Sequence, residues 1–431
     1  MCGERMRKIG LWLFVIVFLG ITKVNAQQLD LQAQIDAAQE GTVIQLEKGV
    51  YEGNIVITKS IVLEGVEGTV LKSTADEPTI TIDNTSDVAI RNISIETLGT
   101  GMTIRKANDI KLSNINMENV DAGIKIYNAH DVLGRELKIE GNAQHYSKKG
   151  NGIAIYESDS IELLDNDIHS VQDGFYIENV KDITIEGNTV KNSRYGTHFM
   201  YSTEGTIREN TYTENVTALM VMMTENIQVE DNTASYQNDF NGTGITIYDT
   251  KEALLQRNKI AGNRVGVSIQ KSTDIQLINN TLQMNQTALE SIRSDESNTA
   301  MQNQFIGNLV NVRSDKEGLT LQQNYYDDYS GIDLDDDGTG DEAYVALQSF
   351  GQWMVRKPVY QYFIESPSVV LLNTIDKQTN NTTKELLVDT TPQTMINKEN
   401  KVSLQLDVPQ LLIGILLLVV CVFIYRRSVQ T

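Results

Sequence analysis

His198 and Met200 stand two residues apart, and 22 residues further on Met220 and Met222 repeat that spacing, with Met223 beside them. Alternate residues of a β-strand share one face, so each pair presents both side chains together if these segments are strands. Imidazole and thioether are soft ligands suited to Cu(I), and methionine-rich surfaces also serve as adaptable docking sites for other proteins. A second group is hard in character. Asp333, Asp335 and Asp337, followed by Gly338, match the first half of a calcium loop, in which alternate carboxylates converge on one cation. The second half departs from that pattern: position twelve is Tyr344 where a bidentate glutamate is expected, which leaves Asp341 or Glu342 to complete the shell. His130, His145 and His169 fall in turn or insertion positions and read as surface residues.

Whether the histidine and the methionines meet depends on the elements that carry them. Segments opening at Gly152, Gly174, Gly196, Ala218, Gly244, Gly266 and Ala288 recur every 22 residues, with one 26-residue interval before Gly244. A weaker unit opens at Ala122 and absorbs a polar insertion over 141–149. Counting the opening residue as zero, offsets 1 and 3 are apolar in Ile153 and Ile155, Phe175 and Ile177, Leu219 and Val221, Ile245 and Ile247. Offsets 9 and 11 are apolar in Ile161 and Leu163, Ile183 and Ile185, Ile227 and Val229, and a third short strand supplies Ile168, Val190, Ile260 and Leu282. Such period-two alternation marks strands with one buried face. Offset 14 is asparagine in Asn166, Asn188, Asn210, Asn232, Asn258 and Asn280. Asparagine tolerates left-handed turn geometry and its amide can bond the equivalent residue one coil away, which predicts a stacked ladder at a corner.

The fold class is therefore all-β, a right-handed parallel β-helix: a solenoid with neighbouring rungs about 4.8 Å apart. A leucine-rich repeat needs a different leucine and asparagine phase, and a β-sandwich keeps no constant register. The stretch Leu29 to Ala38 reads as a short helix capping the first rung. Identical offsets stack, so His198 is expected beside Met220, and Met200 beside Met222, on the outward, solvent-facing side of one sheet.

The two ends frame this domain. Residues 1–26 have a basic start, an apolar stretch and Val24-Asn25-Ala26 before Gln27, the pattern of a signal peptide. The β-helix is expected over 27–323, an acidic loop and C-terminal segment over 324–373, and a polar tether over 374–407. Residues 408–425 carry no charge and precede Arg426-Arg427, which predicts a membrane helix with a cytoplasmic tail, 426–431, and the bulk of the chain outside. The two cysteines, Cys2 and Cys421, lie in those end segments, so disulfides and thiolate metal sites are excluded from the exported part. The net charge is −21, and loss of residues 1–26, with four basic side chains and one acidic, takes it to −24. Such a field repels nucleic acid and other polyanions.

These residues carry a family resemblance. Arg194-Tyr-Gly-Thr-His-Phe-Met-Tyr-Ser202, Ala218-Leu-Met-Val-Met-Met223, the loop Asn324 to Tyr344 and Glu365-Ser-Pro-Ser-Val-Val-Leu-Leu372 resemble the NosD family of nitrous oxide reductase maturation proteins, over Leu29 to Asn373. The resemblance implies a periplasmic β-helix with a non-enzymatic role in assembling a copper-sulfur centre. It implies as partners an ABC transporter, with its membrane subunit and ATPase, a copper chaperone lipoprotein and the reductase. His198 and Met200 match the family's His-aromatic-Met stretch, and Met220 and Met222 its Ala-Leu-Met rung. The C-terminal membrane helix is a departure from the family pattern. The competing class is an extracytoplasmic β-helix that binds or cleaves polysaccharide. Cleavage needs paired carboxylates, and the central outward offsets 2 and 4 offer only Glu178.

Overall fold

A computed structural model describes residues 30–74, 77–237, 242–294, 296–315, 318–346, 357–363, 366–379 and 387–395. The expected signal peptide (1–26), membrane helix (408–425) and tail (426–431) lie outside these residues. Among the described residues no helix is long and apolar enough to cross a membrane. The chain is all-β, a right-handed parallel β-solenoid with rungs of about 22 residues and few helices. It divides into two compact units, Met1–Leu254 and Leu255–Thr431.

The first unit opens with the helix Leu31–Ala37, which turns Leu31 and Ile35 into the core and is capped by Asp30 accepting from the Gln32 N–H. The Gln32 side chain stands in for a missing strand: it accepts from Val56 N at 2.7 Å and donates to Val56 O at 3.1 Å. The edge strand Ile55–Ile57 is thereby closed by an amide and not left open. Parallel strands then stack through Ile153–Tyr156, Asp173–Glu178, Tyr195–Met200 and Thr217–Met222 to Thr243–Tyr248, with Phe175, Thr197, Leu219 and Ile245 in register. Offsets 1, 3, 9 and 11 face inward as their alternation predicts, and Phe175, Ile183, Phe199 and Val229 are buried. The polar excursion holds one turn, Tyr146–Lys148, and leaves Ile124 and Ile153 in register, because it departs from a corner.

The corner asparagines form the expected ladder. In Asn166, Asn188 and Asn210 the backbone N–H and the side-chain amide both donate to the Oδ1 of the next asparagine, at 2.8–3.0 Å. The second amide hydrogen goes to a carbonyl, Leu163 O for Asn188, so these buried amides are satisfied. The backbone geometry differs from expectation. The left-handed residue is the one before each asparagine (Asp165, Gly187, Glu209 and Asp231, φ 53 to 68°), and the asparagine serves as ladder alone. Ladders at the other two corners were not anticipated: Ser193 N donates to Asn215 Oδ1, Asn215 N to Gln237 Oε1, and Val180 N to Ser202 Oγ.

In the second unit Val265–Gln270, Thr287–Ile292 and Val310–Ser314 stack in parallel, with Val267, Leu289 and Val312 in register. Its ladder runs Asn258, Asn280, Asn303, Asn324. Each member donates to the next, so the last needs an acceptor from outside the repeat. Asp389 supplies it: fully buried, it accepts from Asn324 N at 2.9 Å, Asn324 Nδ2 at 3.0 Å and Gln323 N at 3.1 Å. Asp389 lies in the stretch expected to be a tether, and that expectation is corrected there. Val388–Asp389 pairs antiparallel with Tyr344–Val345, and the helix Pro367–Thr379 sets Val369 against Val310 and Tyr360. This docking combines backbone pairing with one buried carboxylate, neither of which apolar periodicity reveals.

Candidate metal site

The site is built on three consecutive rungs of the first unit. Register places Tyr176 beside His198 and His198 beside Met220, and one further pair along places Glu178 beside Met200 and Met200 beside Met222. The stacking expected from the repeat is therefore present. Met223 falls outside it: the strand ends at Met222, and Met223 takes the left-handed turn position with φ 51°.

The outward face is less open than expected. His198 is only 7% exposed, while Met200, Met220 and Met222 are half-buried. The cover comes from the first residue of the strand, where Tyr195 sets its ring edge-to-face against the imidazole at 4.9 Å, and Tyr176 does the same from the preceding rung at 5.2 Å. The Arg194 guanidinium lies over the Tyr195 ring at 4.5 Å. Gly196, at the corner itself, has no room for a side chain: a Cβ there would stand 2.3 Å from Tyr212 Cδ1 and 2.5 Å from Ala218 O. Tyr212 fills that interior corner and bonds Thr197 Oγ1 at 2.9 Å, one residue from the imidazole.

Asp173 holds the histidine. It is fully buried, accepts from Arg194 Nε at 2.8 Å and Nη2 at 2.6 Å, and lies 3.2 Å from His198 Nδ1. With Nδ1–H directed at the carboxylate, Nε2 carries the free lone pair. His198 Nε2 is buried and has no hydrogen-bond partner among the described residues. An imidazole anchored by a carboxylate through one nitrogen, with the other nitrogen bare, is the arrangement in which histidines ligate metals. Hydrogen bonding to Asp173 is the main cause that raises the Arg194 pKa, so this cation stays in place as counter-charge. Burial, followed by the hydrogen bond to Glu178 at 2.8 Å, pushes the Tyr176 phenol up, so it remains a neutral donor, with its oxygen 3.6 Å from Met200 Sδ. Asp173 and Arg194 were missed in the sequence because they precede the glycine and seemed to lie off the strand. The available signal was Asp173 as the one charged residue at its offset, where Tyr195, Thr217, Thr243 and Thr287 stand on other rungs.

The acidic loop is a separate feature of the second unit. Asp333, Asp335 and Asp337 bring ligand oxygens within 4.8 Å of one another, with Asp335 and Asp337 exposed. Asp341 does not join them; it accepts from Leu334 N at 2.7 Å. Asp333 is already engaged by Gly338 N at 2.8 Å. Tyr344, at position twelve, stacks on Tyr326 with ring centres 3.7 Å apart, so it does not stand in for the missing glutamate.

Comparison with known proteins agrees with the resemblance read from the residues. The family model described as periplasmic copper-binding protein (NosD) matches residues 135–332, a span that contains the histidine and methionine rungs. No curated protein matches the chain. Among solved structures, the N-terminal fragment of gene product 12 of bacteriophage Phi29 aligns with a TM-score of 0.57 at 11% identity, over 65% of this chain and 61% of that one. A family 28 exopolygalacturonase from Yersinia enterocolitica aligns with a TM-score of 0.46 at 10% identity, over 67% and 74%. The A-module of a mannuronan C-5 epimerase from Azotobacter vinelandii gives 0.45 at 15%, over 70% and 94%. At 11% identity the Phi29 match shows a likeness of fold alone.

Proposed function

We propose, with the NosD match over residues 135–332 as premise, that this protein takes up Cu(I) outside the cytoplasm and passes it on during maturation of nitrous oxide reductase. The observation that carries the reading is His198 Nε2, buried, unpartnered and oriented by Asp173, on the rung aligned with Met220. His198, Met200, Met220 and Met222 would hold the ion. One imidazole among thioethers favours a soft monovalent cation over hard divalent ones. Copper here is cargo. The Tyr176 and Tyr195 rings shield the imidazole from water, and the half-buried methionines leave a route by which a partner's ligands reach the ion.

In this reading the chain works with an ABC transporter, made of a membrane subunit and an ATPase, and with a copper chaperone lipoprotein. A membrane helix at 408–425 would keep the domain beside them. The role is non-enzymatic: Asp173 is committed to Arg194 and Glu178 to Tyr176, which supports binding over hydrolysis of a sugar chain.

The test is Cu(I) stoichiometry under anaerobic conditions for the full-length chain and for a variant carrying His198→Ala, Met200→Leu, Met220→Leu and Met222→Leu. Leucine preserves volume and removes the sulfur. The parent should hold copper and the variant should not; equal binding by both, or binding by neither, sinks this site.

A further inference from the structure

The second unit carries a different constellation on the sheet formed by Val265–Gln270, Thr287–Ile292 and Val310–Ser314. Its offset-2 column reads Ser268, Glu290, Arg313, and all three are buried. Glu290 accepts from Ser268 Oγ at 2.6 Å and from Arg313 Nε at 2.9 Å, and Arg313 Nη2 also bonds it. Arg264, half-buried, sits at the offset that Arg194 occupies in the first unit. Arg194 has Asp173, whereas the Asp173 offset in the second unit holds Val265 and Thr287.

Among the described residues this cluster therefore holds two guanidiniums, Arg313 bonded to Glu290 and Arg264 near it, against one carboxylate, an excess of one positive charge. Three polar atoms of this cluster are buried without a hydrogen-bond partner among the described residues: Arg264 Nε, Arg313 Nη1 and Thr287 Oγ1. Leaving a buried donor unmet costs about 1–3 kcal/mol, more when it is charged. Arg313 is only 3% exposed, so bulk water does not meet that need. Burial is the main cause that lowers the Arg264 pKa, with Arg313 adding to it and Glu290 opposing, which fits a cation short of counter-charge.

We propose that Arg264, Arg313 and Thr287 form a binding site for a small oxoanion of single negative charge, of carboxylate or phosphate type. Guanidinium N–H groups match the oxygens of such anions in geometry and charge. One bound negative charge balances the cluster, and half-buried Arg264 offers the access. The net charge of −21 opposes anions at a distance. That field is screened beyond about 8–10 Å at ordinary ionic strength, so local donors decide occupancy. The site is independent of copper.

The experiment is thermal unfolding and calorimetric titration of the full-length chain with acetate and with inorganic phosphate, against chloride at equal ionic strength. The parent should show a saturable rise in Tm with acetate or phosphate that chloride does not produce, and the anion that saturates at lower concentration identifies the type. Arg264→Gln should weaken binding about 10-fold or more, as loss of a charged donor implies, and should not lower the anion-free Tm. Arg313→Met alone strands Glu290, so the double variant Arg313→Met, Glu290→Leu is the second probe, expected to fold and to bind neither anion. Absence of saturation with both anions overturns the proposal, as does parent-like binding by Arg264→Gln or by the double variant.

Discussion

Replacing Asp173 with asparagine separates the orientation of the histidine from the stability of the corner. Asp173 accepts two hydrogen bonds from Arg194, at 2.8 and 2.6 Å, and faces His198 Nδ1 at 3.2 Å, all with no solvent exposure of its own. Asparagine keeps one acceptor oxygen, turns an NH2 toward the guanidinium and removes the charge. Removing one partner of a buried ion pair costs about 3–5 kcal/mol. The Arg194 side chain is 31% exposed and recovers part of this in water, so a loss of about 2–3 kcal/mol is expected. Losing a carboxylate behind a ligating histidine lowers metal affinity by about 10- to 100-fold, or about 1.4–2.8 kcal/mol. Cu(I) competition against a chromophoric chelator reads the second quantity, and thermal unfolding reads the first. Arg194→Lys is the control, since it keeps the counter-charge and leaves Asp173 on the imidazole while losing the two-point bond: it should lose about 1–2 kcal/mol of stability while holding copper within about threefold of the parent. Equal copper affinity in parent and Asp173→Asn refutes the orienting role; equal weakening in both variants shows that only the corner matters.

Other outcomes follow from the same geometry. Asn188→Ala strips the acceptor from Asn166 N and Nδ2 inside the buried ladder and should cost about 2–4 kcal/mol in urea unfolding, against less than about 0.5 kcal/mol for Asn116→Ala, whose amide bonds Glu118 at the surface. Gly196→Ala drives a methyl into the Tyr212 ring and the Ala218 carbonyl and should lose about 1–3 kcal/mol, seen as a lower Tm and a changed Tyr212 environment. Calcium should bind the acidic loop weakly, at about 10⁻⁴–10⁻³ M by calorimetry, because the bidentate ligand is missing. Asp335→Asn should abolish that binding, while Asp341→Asn, outside the cluster, should leave it.

The solenoid was legible because strand alternation and a constant interval are written into single residues: Phe175, Leu219 and Ile245 lie inward where their offsets put them. Stacking of His198 on Met220 follows from the interval alone. Asp173 was not legible, because Gly174 and Phe175 both face the core, where a Cβ on Gly174 would meet Val190, and this break in the alternation puts Asp173, the first residue of the strand, on the outer face. The same break explains why His198 is covered: Tyr195, at the equivalent position one rung later, sets its ring against it. In the ladder Asn263, Asn285, Asn308 the first two keep offset 19 and the third follows one residue later. In the first unit Ser193 and Gln237 share its column, so the shared amide chemistry was hidden by mixed residue types. Asp389 was unreadable for a different reason, since its partner Asn324 lies 65 residues away and outside any period.

Asp389 also bears on what the last rung offers to another chain. A ladder in which every rung donates to the next has a sense of direction, and its final rung is chemically the same as an interior one. Left bare, that rung would accept another chain's coil as its continuation. A contact between unlike surfaces does not close on itself, so growth of that kind ends in a filament and not a dimer. By spending the acceptor of Asp389 on Asn324 N, Asn324 Nδ2 and Gln323 N, the chain writes its own full stop.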